Sequence, residues 1–412
     1  MQEQRSQYAI RRAIRLLLGL GPLVLCLGCP IGEWMPAADA EYVARFMEQH
    51  TWTPRTEDLA AYATVEAFDK TFEYGEFWDN LDGMTNDDGA IAWGVSYRMM
   101  AFNEMYRVTG DRKYLEANRR LIRLVFDARD EVRGVALWTG RTVPAWSAEG
   151  YAERGRAVLA VHTGMITWPI FEFLLLAKGD SVFRDELGGQ FNTIRDTALE
   201  SLAVHDRQWC DGPGQGEGYY IGLDQEDVCE NRPLPANRLS AIGRAQWLAW
   251  QVTRDTTHRD RARAIGRYIK ARMITGLDAA YYWTYWLPEL PSKEPVFRTA
   301  IDGEDTAHAT LTLALPLALA DAGQIFGEAD LLRFSRTVLK GFGRRADGVL
   351  FGNITGDPAS DPASIGYVAW WLALADREPE VAERIVPFYL EYKPTWNMYE
   401  RALLASYAIR HS

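Results

Sequence analysis

A repeated helical hairpin is the feature that most limits how this chain can fold. In each copy, a helix that is apolar on nearly every side is followed by a short polar turn and an amphipathic helix rich in Arg or Lys. The turns at Gly110, Gly179, Asp255 and Gly323 fall roughly 70 residues apart, which indicates an internal repeat. Because only the amphipathic helices have a face suited to water, the pattern predicts an outer and an inner layer of helices.

The predicted hairpins share one order, an inner helix followed by an outer helix. They are Ala90 to Val108 with Arg112 to Ala128, Ala157 to Ala177 with Val182 to Val204, Ala236 to Thr253 with His258 to Met273, Glu304 to Ala322 with Glu328 to Phe342, and Pro362 to Ala375 with Glu380 to Tyr392. Helices are also predicted over Ala38 to Gln49, Glu57 to Lys70 and Met398 to Ile409. The predicted fold is therefore all-α, an (α/α)6 toroid with an apolar inner ring and an amphipathic outer ring. An open solenoid of hairpins is the alternative, although its repeats would be shorter and more regular.

The N-terminus is typical of an export signal. Four arginines between residues 5 and 15 precede an uncharged, mostly apolar run from Leu16 to Gly28, which is too short to span a bilayer comfortably. The run ends in Leu27-Gly28-Cys29, which resembles a bacterial lipobox and implies lipidation of Cys29. An ordinary secretory signal and a short membrane anchor are the alternatives.

These features predict three parts of the chain and its location. Residues 1–28 are a signal peptide, 29–55 a tether with a first helix, and 56–412 the toroid domain. The protein is expected in the bacterial cell envelope, held by the lipid on Cys29 at the periplasmic or extracellular face. Because exported proteins meet an oxidising compartment, Cys210 and Cys229 are predicted to form a disulfide, with two free thiols as the alternative.

Charge and motifs exclude several functions. A net charge of −11 argues against nucleic acid, whose binding requires clustered Lys and Arg. Neither a phosphate-binding P-loop nor a dinucleotide fingerprint is present, so no cofactor is expected. No metal is predicted either, although the acidic loop from Asp224 to Asp227, with Asp211, is a weak candidate for calcium.

The segment from Asp302 to His308 is the best candidate for a site. It precedes a helix that is apolar on all sides and places Glu304 and Asp305 near the predicted helix start. In a helix, His308 would lie one turn from both acids and within reach of either. Acids at a helix start also act as caps, so capping alone is the structural alternative.

The starts of the other inner helices carry polar residues in the same position. His162 lies in the second inner helix, and Asn237 and Arg238 begin the third. His162 is flanked by apolar residues, so a core histidine is the alternative to a catalytic one. The predicted catalytic residues are Glu304, Asp305, His308 and His162.

Long links return from each outer helix to the next inner helix, over residues 129–156, 205–235, 274–303 and 343–361. They lie at one end of the rings, and long loops often carry function. Here and just before the first inner helix, aromatic rings alternate with carboxylates and amides, as sugar binding requires. The predicted substrate-binding residues are Asn237, Arg238, Trp78, Trp138, Trp146, Tyr281, Tyr282, Trp283 and Trp286.

This architecture resembles the six-hairpin toroid enzymes that act on carbohydrates, namely glycoside hydrolases, polysaccharide lyases with toroid domains and glucuronyl epimerases. The resemblance covers roughly residues 56–410 and includes no catalytic signature of a single family. It implies an exported carbohydrate-active enzyme that cleaves glycosidic bonds in an oligo- or polysaccharide.

Three interpretations remain open. Hydrolysis needs two carboxyl groups: Glu304 or Asp305 would be one, and the opposite one would come from Asp79, Asp87, Asp88, Asp211 or Glu217. Elimination or epimerisation of a uronic acid would use Asn237, Arg238 and a histidine against its carboxylate, with Tyr281, Tyr282 or His308 as the base for the C5 proton. A glycan-binding lipoprotein without catalysis is the third interpretation.

Overall fold

The computed structural model describes residues 63–73, 75–152, 155–223, 231–289, 294–342, 350, 352–357, 360, 367–391 and 397–411. All of them belong to one unit, Thr53–Ser412. The signal peptide, the tether, Cys29 and Cys229 lie outside the described residues, as does the predicted helix Ala38 to Gln49. Predictions about these segments therefore stay predictions.

Six elements form an inner ring within the described residues. They are Ser96–Thr109, which continues the π-helical segment Ile91–Val95, then Ala160–Gly179, Ala236–Thr253, Thr306–Asp321, the 3-10 segment Val368–Leu374, and Met398–His411. We call them the first to the sixth inner helix. Each packs against the next, and the sixth packs against the first, so the ring is closed. The prediction of an all-α toroid is confirmed.

The outer layer follows the predicted amphipathic helices. It consists of Lys113–Asp127, Ser181–Leu187 with Gln190–Ala203, Thr256–Ala271, Glu328–Arg336 with the π-helical segment Thr337–Gly341, and Glu380–Glu391. Shorter elements lie in the connections: Val65–Asp69, Gly75–Asp79, Asp130–Arg133, Asp206–Gln208 and Arg298–Ala300. Two small antiparallel hairpins also occur, pairing Trp209–Asp211 with Gly218–Tyr220 and Ile274–Thr275 with Tyr281–Tyr282.

Local sequence explains the hairpin turns. Gly110 adopts φ 69°, a left-handed conformation that only glycine adopts without strain, and ends the first inner helix. The side chains of Asp180 and Asp255 cap the outer helices that follow them. The predicted outer helix Val182 to Val204 is split, because Gly188 adopts φ 50° and interrupts it.

The second inner helix is long and apolar enough to cross a membrane by length and composition, and it is the one such helix found among the described residues. Most of it is buried inside the protein. It is therefore a core helix of the toroid, as its lack of a wet face predicts.

Charged residues occupy the axis of the ring. Arg107 of the first inner helix pairs with Glu104 and with Glu172 of the second inner helix, the latter at 2.7 Å. Arg244 of the third inner helix lies 3.9 Å from Glu172, and Ser406 of the sixth donates to Glu104. Because side chains of four inner helices meet here, they must point toward the axis, where they link the otherwise apolar helices.

Gly164 fixes the close approach of the second and third inner helices. A Cβ atom at Gly164 would lie 2.6 Å from the backbone nitrogen of Ile242 and 2.9 Å from the carbonyl carbon of Ala241. We expect Gly164→Ala to lower the free energy of unfolding by about 1–3 kcal/mol, because two backbones would have to separate. Chemical denaturation measures this change.

Gly94 provides the matched control, since a Cβ atom there meets nothing within 4 Å. Gly94→Ala should leave stability unchanged or raise it by about 0.5–1 kcal/mol through the lower entropy of the unfolded chain. Equal effects of the two substitutions would contradict this account of the packing.

Candidate functional site

The N-terminal ends of the inner helices form the mouth of the ring, and Asn86 joins the first two. Its side-chain oxygen accepts from the backbone N–H of Ala92 at 3.1 Å, which fixes the orientation of the amide. Its Nδ2 then donates to Nδ1 of His162 at 3.1 Å and to the carbonyl of Trp146 at 3.3 Å. Asn86 is buried, so these bonds are shielded from water.

This contact decides the protonation of His162. Because Nδ1 accepts from Asn86, the proton of the neutral ring lies on Nε2. Burial, with the charge of Arg238 as a second cause, lowers the pKa of His162 to about 3. The ring lies edge-on to Trp93 and Tyr151, with centroids 5.5 and 4.8 Å away. His162 is therefore a neutral, buried residue below the mouth, which opposes its predicted catalytic role as a proton carrier.

Asp87 and Asp88 lie at the mouth, just before the first inner helix. The carboxylate of Asp87 accepts from Arg156 at 2.7 Å, and this hydrogen bond is the main cause that lowers the pKa of Asp87. The backbone carbonyl of Asp87 accepts from Glu149 at 2.9 Å and from Gly150 at 3.2 Å. The turn is thus fixed from both sides, and it leaves the carboxyl group of Asp88 exposed.

Tyr151 links this turn to the third inner helix. Burial raises the pKa of Tyr151, while the charge of Arg238 lowers it and that of Asp88 raises it. The charges of Arg238 and Asp88 therefore both act on the hydroxyl group of Tyr151, whose ring lies beside His162. Arg238 lies close enough to His162 and Tyr151 to act on both. The sequence analysis overlooked Asn86 and Tyr151 as neighbours of His162.

The third and fourth inner helices meet through Tyr285. Its carbonyl accepts from the backbone N–H of Ala236 at 3.3 Å, and its ring lies 5.0 Å from the ring of His308. Asn237, the second residue of the third inner helix, is 2% exposed, and its Oδ1 has no partner among the described residues. His162, Asn237 and His308 thus begin three consecutive inner helices at one end of the ring.

Asp305 and His308 form a carboxylate–imidazole pair. Asp305 caps the fourth inner helix by accepting from the backbone N–H of His308 at 3.0 Å, and its other oxygen contacts Nδ1 of the same residue. The proton on Nδ1 therefore faces the carboxylate, and Nε2 is left as the acceptor. With 48% of its side chain exposed, His308 has access to solvent at the mouth. Asp305 serves both as a cap and as the partner of His308.

Glu304 turns away from His308. Its Oε2 accepts from Nε1 of Trp283 and, at 2.8 Å, from the hydroxyl of Thr312, while Oε1 has no partner among the described residues. Glu304 is 1% exposed, and this burial raises its pKa well above the usual value. Trp283 packs against Phe334 of the outer layer, so Glu304 belongs to the wall between the rings and not to the mouth.

Three further contacts join the fourth, fifth, sixth and first inner helices. Trp371 of the fifth inner helix donates to Thr310 of the fourth at 2.8 Å. Tyr367, which precedes the fifth, donates its backbone N–H to Glu400 of the sixth at 3.1 Å. The rings of Tyr399 in the sixth and Tyr97 in the first are stacked with centroids 6.4 Å apart.

The predicted aromatic residues divide into exposed and packed ones. Trp138 and Trp286 are 43% and 37% exposed. Trp146, Tyr281, Tyr282 and Trp283 are buried, and the hydroxyls of the two tyrosines donate to Asp330 at 2.7 Å and Asp278 at 2.8 Å. Burial raises the pKa of Tyr281 to about 12 and that of Tyr282 further. Both hydroxyls are committed to protein carboxylates, which opposes a role as the base.

Two of the other candidates contact arginines at the outer helices. Trp78 packs under Arg120 of an outer helix, 4.1 Å from its ring centroid. Glu217 pairs with the buried Arg272 at 3.1 Å. Asp79 ends the short helix Gly75–Asp79, and Asp211 is exposed on the hairpin at residues 209–220.

Neither a metal site nor a disulfide is found among the described residues. The described residues contain no group of three or more His, Cys, Asp or Glu that could hold a metal ion. Cys210 is half-buried and forms no disulfide within the described residues, and Cys229 lies outside them, so their disulfide stays a prediction. Two cavities lie elsewhere: one of about 850 Å³ between outer helices Lys113–Asp127 and Gln190–Ala203, and one of about 380 Å³ at the C-terminal ends of the second and third inner helices.

Comparison with solved structures agrees with this architecture. An α-1,6-mannanase of Salegentibacter sp. HEL1_6, in complex with α-1,6-mannotetrose, is similar with a TM-score of 0.51 and 12% identity over 86% of this chain and 100% of that chain. The fold is shared with a carbohydrate-active enzyme. No family model matches the sequence, and no curated protein matches it.

Two further structures are similar at lower scores. An unsaturated glucuronyl hydrolase from Bacillus sp. GL1 has a TM-score of 0.47 and 13% identity over 78% of this chain and 86% of that chain. A family 76 glycoside hydrolase from a bovine Bacteroides thetaiotaomicron strain has 0.46 and 14%, over 78% of this chain and 68% of that chain.

Proposed function

We propose that this protein is an exported enzyme that hydrolyses glycosidic bonds in an oligo- or polysaccharide bound at the mouth of the ring. The observation that carries the proposal is the arrangement of acids around the mouth. Asp88 lies before the first inner helix, and the Asp305–His308 pair begins the fourth, which is three positions away in a ring of six. The order of the ring therefore puts a carboxyl group and a carboxylate–imidazole pair on opposite sides of one opening. Hydrolysis of a glycosidic bond uses an acid and a base or nucleophile on either side of that bond.

The roles follow from the contacts. Asp88 is exposed and is the carboxyl group that would contact the glycosidic bond. Asp87, held by Arg156, positions it. His308, oriented by Asp305 through Nδ1, has Nε2 available to accept a proton from water. Arg238 and the exposed ring of Trp286 would bind hydroxyl groups and a sugar face.

The likeness to the mannanase supports this assignment. The mannanase variant with that bound sugar is inactive and has two consecutive aspartates replaced by alanine. This chain has a single pair of consecutive aspartates before its first inner helix, Asp87 and Asp88. An α-1,6-linked mannooligosaccharide is therefore the first substrate to test.

The test is an activity screen of the full chain against neutral and uronic polysaccharides, including α-1,6-mannan. New reducing ends without ultraviolet absorbance are expected. Absorbance of an unsaturated uronate would instead indicate elimination, which the burial of Tyr281 and Tyr282 disfavours. Binding without any product would support the glycan-binding lipoprotein, and neither binding nor product would refute a carbohydrate function.

We also propose that the chain is anchored to the bacterial envelope through a lipid on Cys29, since the sequence before it resembles a lipobox. Cys29→Ser should remove the protein from the membrane fraction and prevent incorporation of labelled fatty acid. Cys210→Ser is the matched control and should leave both unchanged. Membrane association that survives Cys29→Ser would contradict lipidation at this residue.

A further inference from the structure

We propose that Tyr367, supported by Tyr97 and Tyr399, is the stacking platform of a binding subsite for an uncharged sugar unit. The inference rests on the proposed function and adds a substrate class to it. Tyr367 directly precedes the fifth inner helix, and Tyr97 and Tyr399 lie in the first and the sixth, on the side of the mouth away from Arg238.

The three rings are packed together inside the mouth. The centroids of Tyr97 and Tyr367 are 4.5 Å apart, and those of Tyr97 and Tyr399 are 6.4 Å apart with planes only 12° from parallel. Tyr97 is 9% exposed, whereas Tyr367 and Tyr399 are half-buried. Tyr97 therefore supports Tyr367 from below, and part of the Tyr367 ring stays open to a ligand. The apolar face of a pyranose packs on such a ring.

The backbone of Tyr367 is held in a strained conformation. Its φ of 55° and ψ of 19° lie in the left-handed region, which a bulky side chain rarely adopts. The carboxylate of Glu400 holds it there by accepting its N–H at 3.1 Å. Tyr389 in turn fixes Glu400 by donating its hydroxyl at 2.6 Å. A strained residue with a partly exposed ring indicates a functional constraint.

The platform itself carries no charge. Burial raises the pKa of Tyr97 and of Tyr399, and burial with the charge of Glu400 raises that of Tyr367 to about 12. All three hydroxyls are therefore neutral at pH 7. Hydroxyl groups of this kind match those of an uncharged sugar.

The charges deeper in the ring are balanced. Arg107 and Arg244 are accompanied by Glu104 and Glu172, all on the axis of the ring. A uronate carboxylate bound above them would meet as many negative as positive charges. The subsite therefore favours a neutral hexose unit over a uronic acid.

The experiment compares Tyr367→Gly and Tyr367→Phe in the full chain. Glycine accepts φ 55° without strain, so Tyr367→Gly removes the ring without adding backbone strain, and the melting temperature checks that the fold is retained. Calorimetry in an Asp88→Asn background measures the affinity for α-1,6-mannotetraose, which should fall at least tenfold. In the enzyme that keeps Asp88, Tyr367→Gly should raise KM more than it lowers kcat. Tyr367→Phe keeps the ring and should retain most of the affinity.

Tyr106→Ala is the matched control, because Tyr106 is a half-buried tyrosine at the opposite end of the first inner helix. It should leave the affinity unchanged. If the enzyme hydrolyses the neutral substrate and Tyr367→Gly keeps its KM, the subsite is refuted while the proposed function stands. Tighter binding of a uronic oligosaccharide would refute the neutral class, and a wild-type chain that neither binds nor cleaves any sugar would refute both proposals.

Discussion

Asp88→Asn is expected to lower the turnover of the polysaccharide substrate by about 10²–10⁴-fold, the usual contribution of a proton-transferring group. The fold should be retained, because Asp88 is exposed and asparagine has nearly the same shape. Initial rates of reducing-end release measure the effect, and the melting temperature checks the fold. A variant that keeps its rate within a few-fold would exclude Asp88 from the reaction.

Asp211→Asn is the matched control, since Asp211 is also an exposed aspartate but lies on the hairpin at residues 209–220. It should keep full activity. Asp87→Asn should also lose activity, but with a loss of stability. Arg156 would lose its closest carboxylate partner, 2.7 Å away, and Arg133, at 3.7 Å, would lose an ionic contact.

Glu304→Ala is expected to lower the free energy of unfolding by about 2–4 kcal/mol. Trp283 and Thr312 would lose the acceptor they share, and the vacated volume would leave a small cavity in a fully buried wall. Chemical denaturation measures the change. The sequence analysis named Glu304 as a predicted catalytic residue, whereas the contacts in the structure predict a loss of stability.

Glu304→Gln separates these explanations. Its side-chain oxygen can still accept from Trp283 and Thr312, and it cannot ionise. The folded state raises the pKa of Glu304, so ionisation of the unfolded chain above pH 4.5 destabilises the wild type progressively. The melting temperature of Glu304→Gln should therefore exceed that of the wild type more at pH 8 than at pH 4.5, with activity retained. Loss of activity with unchanged stability would restore Glu304 to the catalytic site.

Residues 302–308 show which side-chain contacts helical spacing can predict and which it cannot. The spacing placed His308 within reach of both Glu304 and Asp305, and either contact satisfies helical geometry. The helix begins at Thr306, so Asp305 becomes the cap and faces His308, while Glu304 precedes the cap. The segment before the cap pairs with residues 352–354, which turns Glu304 into the wall. That pairing depends on residues about 50 positions away.

The contacts between charged side chains at the axis of the ring could not be predicted from the sequence either. Glu104 and Arg107 lie one turn apart in one helix, but nothing in the spacing of Glu172 and Arg244 indicates that they meet this pair. They interact because ring closure brings four helices together. Tyr97, Tyr367 and Tyr399 were overlooked for the same reason, since they are separated by up to 302 residues and meet only at the junction of the first and sixth inner helices.

The sequence by itself determined the helices, their pairing into hairpins and their division into two rings. These properties follow from hydrophobic periodicity and turn residues, which act over a few positions along the chain. The tertiary structure alone decided which polar side chains of the inner helices face the mouth, the axis or the wall. Those directions depend on how the ring closes, because a residue's surroundings are set by neighbours that the closed ring brings together from distant parts of the chain.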